Sequence, residues 1–204
     1  EEAKYPAPDA TDGDDFGDHA VATSERHSVV GDWHDDGEAA GAGAAWVFAH
    51  SVVEPEATHT ASDAAGSDRF GIAVGTDGER FIVGAEDESS EGAAYIVEPS
   101  GAGWSETKLE ASDGSASDKF GSAVAIDGDA ALVGAERNDD AGASSGSAYF
   151  YERTGPGAWT EQKVTASNAS ACVQSGVSTA IDGTTAVVGA NLRETGFTDS
   201  GAAY

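Results

Sequence analysis

The stretch "GDWHDDGE", residues 31–38, sets Asp32, His34, Asp36 and Glu38 at alternate positions around Gly37. Oxygen and imidazole ligands spaced in this way, on a loop that glycine lets turn sharply, are how a chain wraps a divalent cation. These four residues are therefore the metal-ligand candidates. Trp33 lies among them and stands in a loop, whereas Trp46, Trp104 and Trp159 begin or occupy strand-like words and read as structural. A loop Trp gives large contact area at low entropic cost, so Trp33, His34 and Asp36 form the candidate binding set for a protein or glycan partner. Against both readings stands composition, because acids fill most loops, as in "EDESSE" at 86–91 and "ERNDDAG" at 136–142.

Other reactive residue types are less promising. "GASSG" at 142–146 has the G-x-S-x-G spacing around Ser144, but that motif works on a strained turn from strand into helix, with Asp and His partners. Here it opens into a strand-like word, and no catalytic residue is expected. His19, His27, His34, His50 and His59 all fall in the first quarter or so of the chain, without the Cys or second spaced pair of a zinc site. Cys172 is the single cysteine, so no intrachain disulfide forms, and it reads as a small buried residue rather than a nucleophile. "NAS" at 168–170 is the one N-glycosylation triplet, which makes Asn168 the modification candidate.

The charge balance is extreme: 10 Lys and Arg face 37 Asp and Glu, for a net charge of -27. Such self-repulsion opposes a compact state unless salt screens it, and the Debye length falls from about 10 Å at 0.1 M to about 3 Å at 1 M. The acids are scattered between regular apolar words, and 39% of residues are hydrophobic, so a core is available and the charge reads as a solvated halophilic surface. Nucleic acid and anionic membranes are excluded as partners, since both need a basic footprint. No run approaches the ~18 apolar residues of a membrane helix. The opening "EEAKYPAPDA" lacks a signal-type apolar stretch and reads as a mature or trimmed start.

The elements that position these residues come from a repeat. Phe16-Gly17, Phe70-Gly71 and Phe120-Gly121 recur at 50–54 residues, and Ser175-Gly176 is a worn fourth copy. Each is followed by a Val-Gly word (Val30-Gly31, Val83-Gly84, Val133-Gly134, Val188-Gly189) and then by "GAAW", "GAAY", "GSAY" and "GAAY". A fourth word, "WSETKLEASD" from Trp104 and "WTEQKVTASN" from Trp159, precedes the next copy, and "EEAKYPAPD" fits its second half. The segments are short, rich in Val, Ile, Tyr, Phe and Ala, and bounded by Gly, Asp, Asn or Ser, with no sustained period of 3.6, so they read as strands. "AIDGDAAL" and "AIDGTTAV" place Asp-Gly between apolar runs and predict a hairpin with positive φ at both turn positions. The Val-Gly word is apolar throughout, as in a strand covered on both faces, while "WSETKLE" alternates like an exposed edge.

Four strands per period of about 50 residues is the pattern of propeller blades. The predicted fold is all-β, a β-propeller of four-stranded antiparallel blades, with repeats at approximately 1–48, 49–97, 98–151 and 152–204 in one domain. Two arrangements fit: a four-bladed ring closed by the N-terminal strand, or a segment of a larger ring such as a seven-bladed one. The segment is the expectation, since chains seldom end in mid-strand.

"LEASDGSASDKFGSAVAIDGDAALVGAE", with "GSAYFYER" and a following Trp, resembles the FG-GAP repeat of integrin-like propellers, in its short-turn bacterial and archaeal variety. The likeness covers essentially the whole chain. It implies a recognition propeller displayed outside the cell. Family members often hold calcium in an Asp-x-Asp-x-Asp-Gly loop between the first two strands, but here that loop is only "DGE" at 77–79, "DGD" at 127–129 or "DGT" at 182–184. The calcium site does not carry over, and no cofactor is expected.

The expected function is a non-enzymatic extracellular recognition, adhesion or assembly module on a halophilic cell surface or virion. Its partners would be surface proteins or glycans, or neighbouring subunits, with no nucleic acid and no membrane insertion. The competing expectations are a structural component of a capsid or appendage, and the non-catalytic propeller of an extracellular hydrolase.

Overall fold

The structure, a computed structural model, describes residues 5, 7, 15–50, 54–101, 103–167, 169–191 and 201–204. Strands β1 (Val21–Thr23), β2 (His27–Asp32), β3 (Ala44–Ala49) and β4 (Ala57–His59) pair in that order into an antiparallel sheet. The same order recurs in β5 (Phe70–Thr76), β6 (Phe81–Ala85), β7 (Ala93–Ser100) and β8 (Gly103–Leu109). It recurs again in β9 (Phe120–Asp127), β10 (Ala130–Ala135), β11 (Ser147–Gly155) and β12 (Ala158–Val164). The last sheet contains β13 (Ser175–Asp182), β14 (Thr185–Ala190) and β15 (Ala202–Ala203). The protein is all-β, with its four sequence repeats building four antiparallel blades in a propeller arrangement. Blade and repeat are out of phase by one strand: the word that opens each later repeat, such as "WSETKLE", forms the outer strand of the preceding blade.

Burial follows the sequence pattern. β6 is buried along its whole length, and β10 everywhere but its first residue, because each lies between paired neighbours and is covered on both faces. β12 alternates exposed and half-buried positions as an outer strand should. The innermost strands of all four blades line an axial cavity of about 240 Å³, bordered by Ala20, Ala73, Ala123 and Ser178.

The hairpins form where expected, but by a different turn. Asp127 pairs with Ala130 and Asp182 with Thr185, so these aspartates belong to the strands and the loops are Gly128-Asp129 and Gly183-Thr184. Among these loop residues only Gly128 (φ +57°) and Gly183 (φ +54°) have positive φ, which is the type II′ pattern with glycine at the first central position. The β5–β6 loop is longer, since Thr76 pairs with Phe81.

Apolar clusters sit at the junctions between blades. Between the second and third blades, Ile82, Ile96 and Leu109 meet Phe120, Val133, Tyr149 and Tyr151. Between the first and second, Val29 and Val47 meet Phe70, Val83 and Tyr95. The repeated glycines make these junctions close. A Cβ added to Gly31, Gly84 or Gly134 would lie 2.0 Å from the carbonyl oxygen of Gly71, Gly121 or Gly176 in the next blade. The Phe-Gly and Val-Gly words therefore recur as a pair across a junction, one blade's strand against the next blade's bulge.

The far face of the fourth blade and the near face of the first have no such neighbour among the described residues. An added Cβ on Gly189 meets only Ser178 of its own blade, and one on Gly17 meets only Val30 and Val21. Val187 is 43% exposed and Val21 is 69% exposed. Tyr5, by contrast, packs on Phe48 with ring centroids 4.6 Å apart, in the place Leu109 takes at a later junction.

Candidate functional site

The loop after β2 carries the candidate residues. Asp32 is the last residue of β2 and is fully buried. Trp33 and His34 turn out of the strand and are both half-buried rather than free in solvent. Trp33 lies against His34, with ring centroids 3.3 Å apart, and meets the edge of His19 at 5.5 Å. Arg69, from the segment entering the second blade, places its guanidinium carbon 4.9 Å from the indole centroid. Arg69 also pairs with Glu86 at 2.9 Å and Asp87 at 3.2 Å, so the cation facing Trp33 is held from its other side by carboxylates. The His34 Nδ1 is 2.5 Å from Asp15.

Downstream, backbone contacts absorb the acids. Asp36 accepts the Gly41 N–H at 2.7 Å, and the buried Asp35 accepts the Gly37 N–H at 2.9 Å. Glu38 is exposed. The structure thus brings Trp33, His34, His19 and Arg69 together in one aromatic and cationic cluster, and puts Asp36 and Glu38 on the outer part of the loop. Among the described residues, no three His, Cys, Asp or Glu side chains are grouped to hold a metal ion.

A second arrangement escaped the sequence reading. Asp63, in the segment between the first two blades, accepts the Tyr95 hydroxyl at 2.8 Å and the Lys108 ammonium at 2.7 Å. Lys108 also reaches Glu88 at 2.9 Å. One repeat later Asp113 accepts Tyr149 at 2.8 Å and Lys163 at 2.7 Å, and Lys163 also contacts Asp140. Burial pushes the carboxyls of Asp63 and Asp113 up, yet the lysine and the tyrosine hydroxyl together hold each below its ordinary value. Burial and the neighbouring aspartate push the phenols of Tyr95 and Tyr149 far up. Burial works against the charge on Lys108 and Lys163, but their carboxylate partners overcome it and raise both. Phenols held protonated and ammoniums held charged neither give nor take a proton near neutrality, so this unit clamps the incoming segment to its blade. The recurrence of "ASD", "AY" and "K" in register was the available signal.

The hairpin carboxylates are taken up by the protein's own groups. Asp77 accepts the Glu79 and Arg80 N–H groups at 2.8 and 2.7 Å and pairs with the Arg80 side chain. Asp127 accepts the Gly183 N–H at 2.5 Å across a junction. These oxygens serve backbone and arginine, and loops of two or four residues cannot encircle an ion.

Ser144 lies in the loop before β11, a strand, and its N–H donates to Asp139 at 2.6 Å. The five histidines all belong to the first blade or its flanks, and apart from His19 and His34 on Trp33 they disperse: His27 faces Glu56 at 3.2 Å, His50 faces Ser28 at 3.1 Å, and His59 packs on Phe81 and Trp104. Burial lowers the His59 pKa. Cys172 corrects an expectation, being exposed rather than buried. Its φ of +63° matches Ser67 (+71°) and Ser117 (+73°), its counterparts two and one repeats earlier, in a turn that presents this side chain to solvent. Asn168 lies outside the described residues. Among the described residues, no helix is long and apolar enough to cross a membrane.

The model of the FG-GAP repeat matches the chain four times, over residues 1–48, 54–97, 104–151 and 159–204. No curated protein matches significantly. The matched words are those that build the junctions: the Phe-Gly bulge, the Val-Gly strand and the Gly-small-small-aromatic strand. Propellers of this kind are typically extracellular, integrin-like protein-interaction modules and are generally non-catalytic. With four matches that span most of its length, the chain belongs to the FG-GAP repeat family.

Proposed function

We propose that this propeller is a non-enzymatic recognition or assembly module, displayed on a cell surface or virion in concentrated salt, whose partner is a surface protein or glycan. The observation that carries the reading is the contrast between loops. The second and third blades use their loop acids on the clamp lysines Lys108 and Lys163, whereas the first blade's loop presents a half-buried Trp33 flanked by His19, His34 and Arg69. A rigid aromatic beside one of few cations, with Asp36 and Glu38 on its rim, suits a polar or glycan surface that needs stacking and hydrogen bonds together. The metal proposal for Asp32, His34, Asp36 and Glu38 now requires the loop to rearrange around an ion. Glycosylation at Asn168 would agree with extracellular display.

Binding to cell-envelope protein and glycan preparations in concentrated salt tests this reading. Saturable binding is expected, weakened roughly tenfold or more by Trp33→Ala and less by Asp36→Ala. Equal binding by wild type and Trp33→Ala, with both folded by circular dichroism, would remove the loop from the interface.

A further inference from the structure

We propose that the junction between the third and fourth blades contains a preformed site for a single uncharged aromatic molecule, in the space that phenylalanine fills at the two preceding junctions. Register fixes the equivalence: Phe70 pairs with Ala85, Phe120 with Ala135 and Ser175 with Ala190. Phe70 and Phe120 are buried, with rings 5.3 Å from Tyr95 and 5.2 Å from Tyr149. Tyr204 is the matching tyrosine of the fourth blade, since it exchanges backbone hydrogen bonds with Val188 as Tyr149 pairs with Val133. Its phenylalanine partner is replaced by Ser175.

The junction has not closed over the lost ring. A Cβ on Gly134 would still lie 2.0 Å from the Gly176 oxygen, the same approach as Gly84 to Gly121. The parallel bridge from Gly146 to Ser175 likewise repeats that from Gly92 to Phe120. Backbone contacts that hold the blades at fixed separation prevent collapse, so truncation of the side chain leaves a cavity. That cavity measures about 260 Å³ and is lined chiefly by Leu132, Phe150, Val164, Ala186, Val188 and Tyr204, beside Ser175. An apolar cavity of about 150 Å³ already stays dry and binds benzene. Val164 and Tyr204, 40% and 38% exposed, border it and give a ligand a route in. Among the described residues no charged side chain lines the cavity, its polar members being Gln162, Thr165, Ser167 and Ser175, so on a chain of net charge -27 the occupant is neutral.

Toluene is the probe, with benzoate as its charged counterpart. The expected result is a saturable rise in melting temperature with toluene and none with benzoate, and NMR cross-relaxation from toluene to the Leu132 and Val188 methyls. Ser175→Phe should raise the melting temperature by itself and abolish the toluene effect. No saturable toluene effect on wild type, or an undiminished one in folded Ser175→Phe, overturns the proposal. Should Ser175→Phe not fold, absence of the methyl cross-relaxation at saturating toluene overturns it.

Discussion

At the scale of single residues, scarce cations decide how the chain tolerates its acids. Arg69, Arg80, Lys108, Lys119, Arg153 and Lys163 each meet two or more carboxylates, and several of them act across element boundaries. The buried Glu98 is one such node: it takes Arg80 from its own blade, and Arg153 and the Gly157 N–H from the next. The clamp aspartates give these pairings a pH signature. Asp63 and Asp113 have folded pKa values below their ordinary ones, so they bind protons more weakly folded than unfolded. Their stabilisation is complete above the ordinary carboxylate range and disappears as pH falls through the depressed folded values. Asp68 has the opposite sign, because burial raises its pKa and its contribution fades as pH rises through that value. Replacing Asp63 and Asp113 together by Asn should therefore lower the melting temperature at neutral pH and flatten its decline on acidification. With both side chains over 40% exposed, each loss is held to about 1 kcal/mol or less. An unchanged acid limb in thermal melts from neutrality down to about pH 2 would show that these pairs contribute nothing.

At the scale of elements, the glycine-on-glycine contact is the device that sets blade against blade, and it predicts a graded series. Gly84→Ala and Gly134→Ala put a methyl group within 2.0 Å of a backbone oxygen in the next blade, which cannot yield without parting the junction. Each should cost on the order of 3 kcal/mol. Gly189→Ala meets the Ser178 hydroxyl, a side-chain end that can rotate away, and Gly155→Ala meets nothing within 4 Å. Both should cost far less in chemical denaturation, and equal losses at Gly84 and Gly189 would mean that the fourth blade's far face is covered. The strands themselves were legible because each word recurs and its apolar pattern matches its burial, as "AALVGA" shows in β10. The turn was misread at Asp127, since Asp-Gly signals a hairpin without stating which residue ends the strand. Cys172 was misread because its residue type was weighed alone, whereas its register counterparts Ser67 and Ser117 are of a polar type suited to solvent. Asp63, Tyr95 and Lys108 lie in three different words, and only folding puts the Tyr95 hydroxyl and the Lys108 ammonium within 3 Å of Asp63. The edge contact of Trp33 with His19 and the approach of Arg69 to its ring were hidden for the same reason.

At the scale of the whole molecule two electrostatic effects oppose each other, and their magnitudes decide the response to salt. Screening weakens the exposed ion pairs, but pairs of this kind contribute about 0–1 kcal/mol each. Screening also relieves the mutual repulsion of a net charge of -27 on a domain of 204 residues. Between 0.1 M and 1 M salt the Debye length shrinks from about 10 Å to about 3 Å, and a repulsion that scales with the square of the charge falls by roughly half or more. Repulsion therefore dominates, and the melting temperature should rise steeply from 0.1 M to 1 M NaCl. KCl should act as well as NaCl if screening is the cause, whereas a bound cation would separate the two salts at millimolar concentrations. Neutralising substitutions supply the decisive comparison. Changing exposed acids such as Glu38 and Glu79 to Gln should raise stability in 0.1 M salt and leave it nearly unchanged in 1 M. A melting temperature that is flat across the salt series, or that falls with these substitutions at low salt, would place the acidic surface outside the energetics of folding and leave partner recognition as its remaining role.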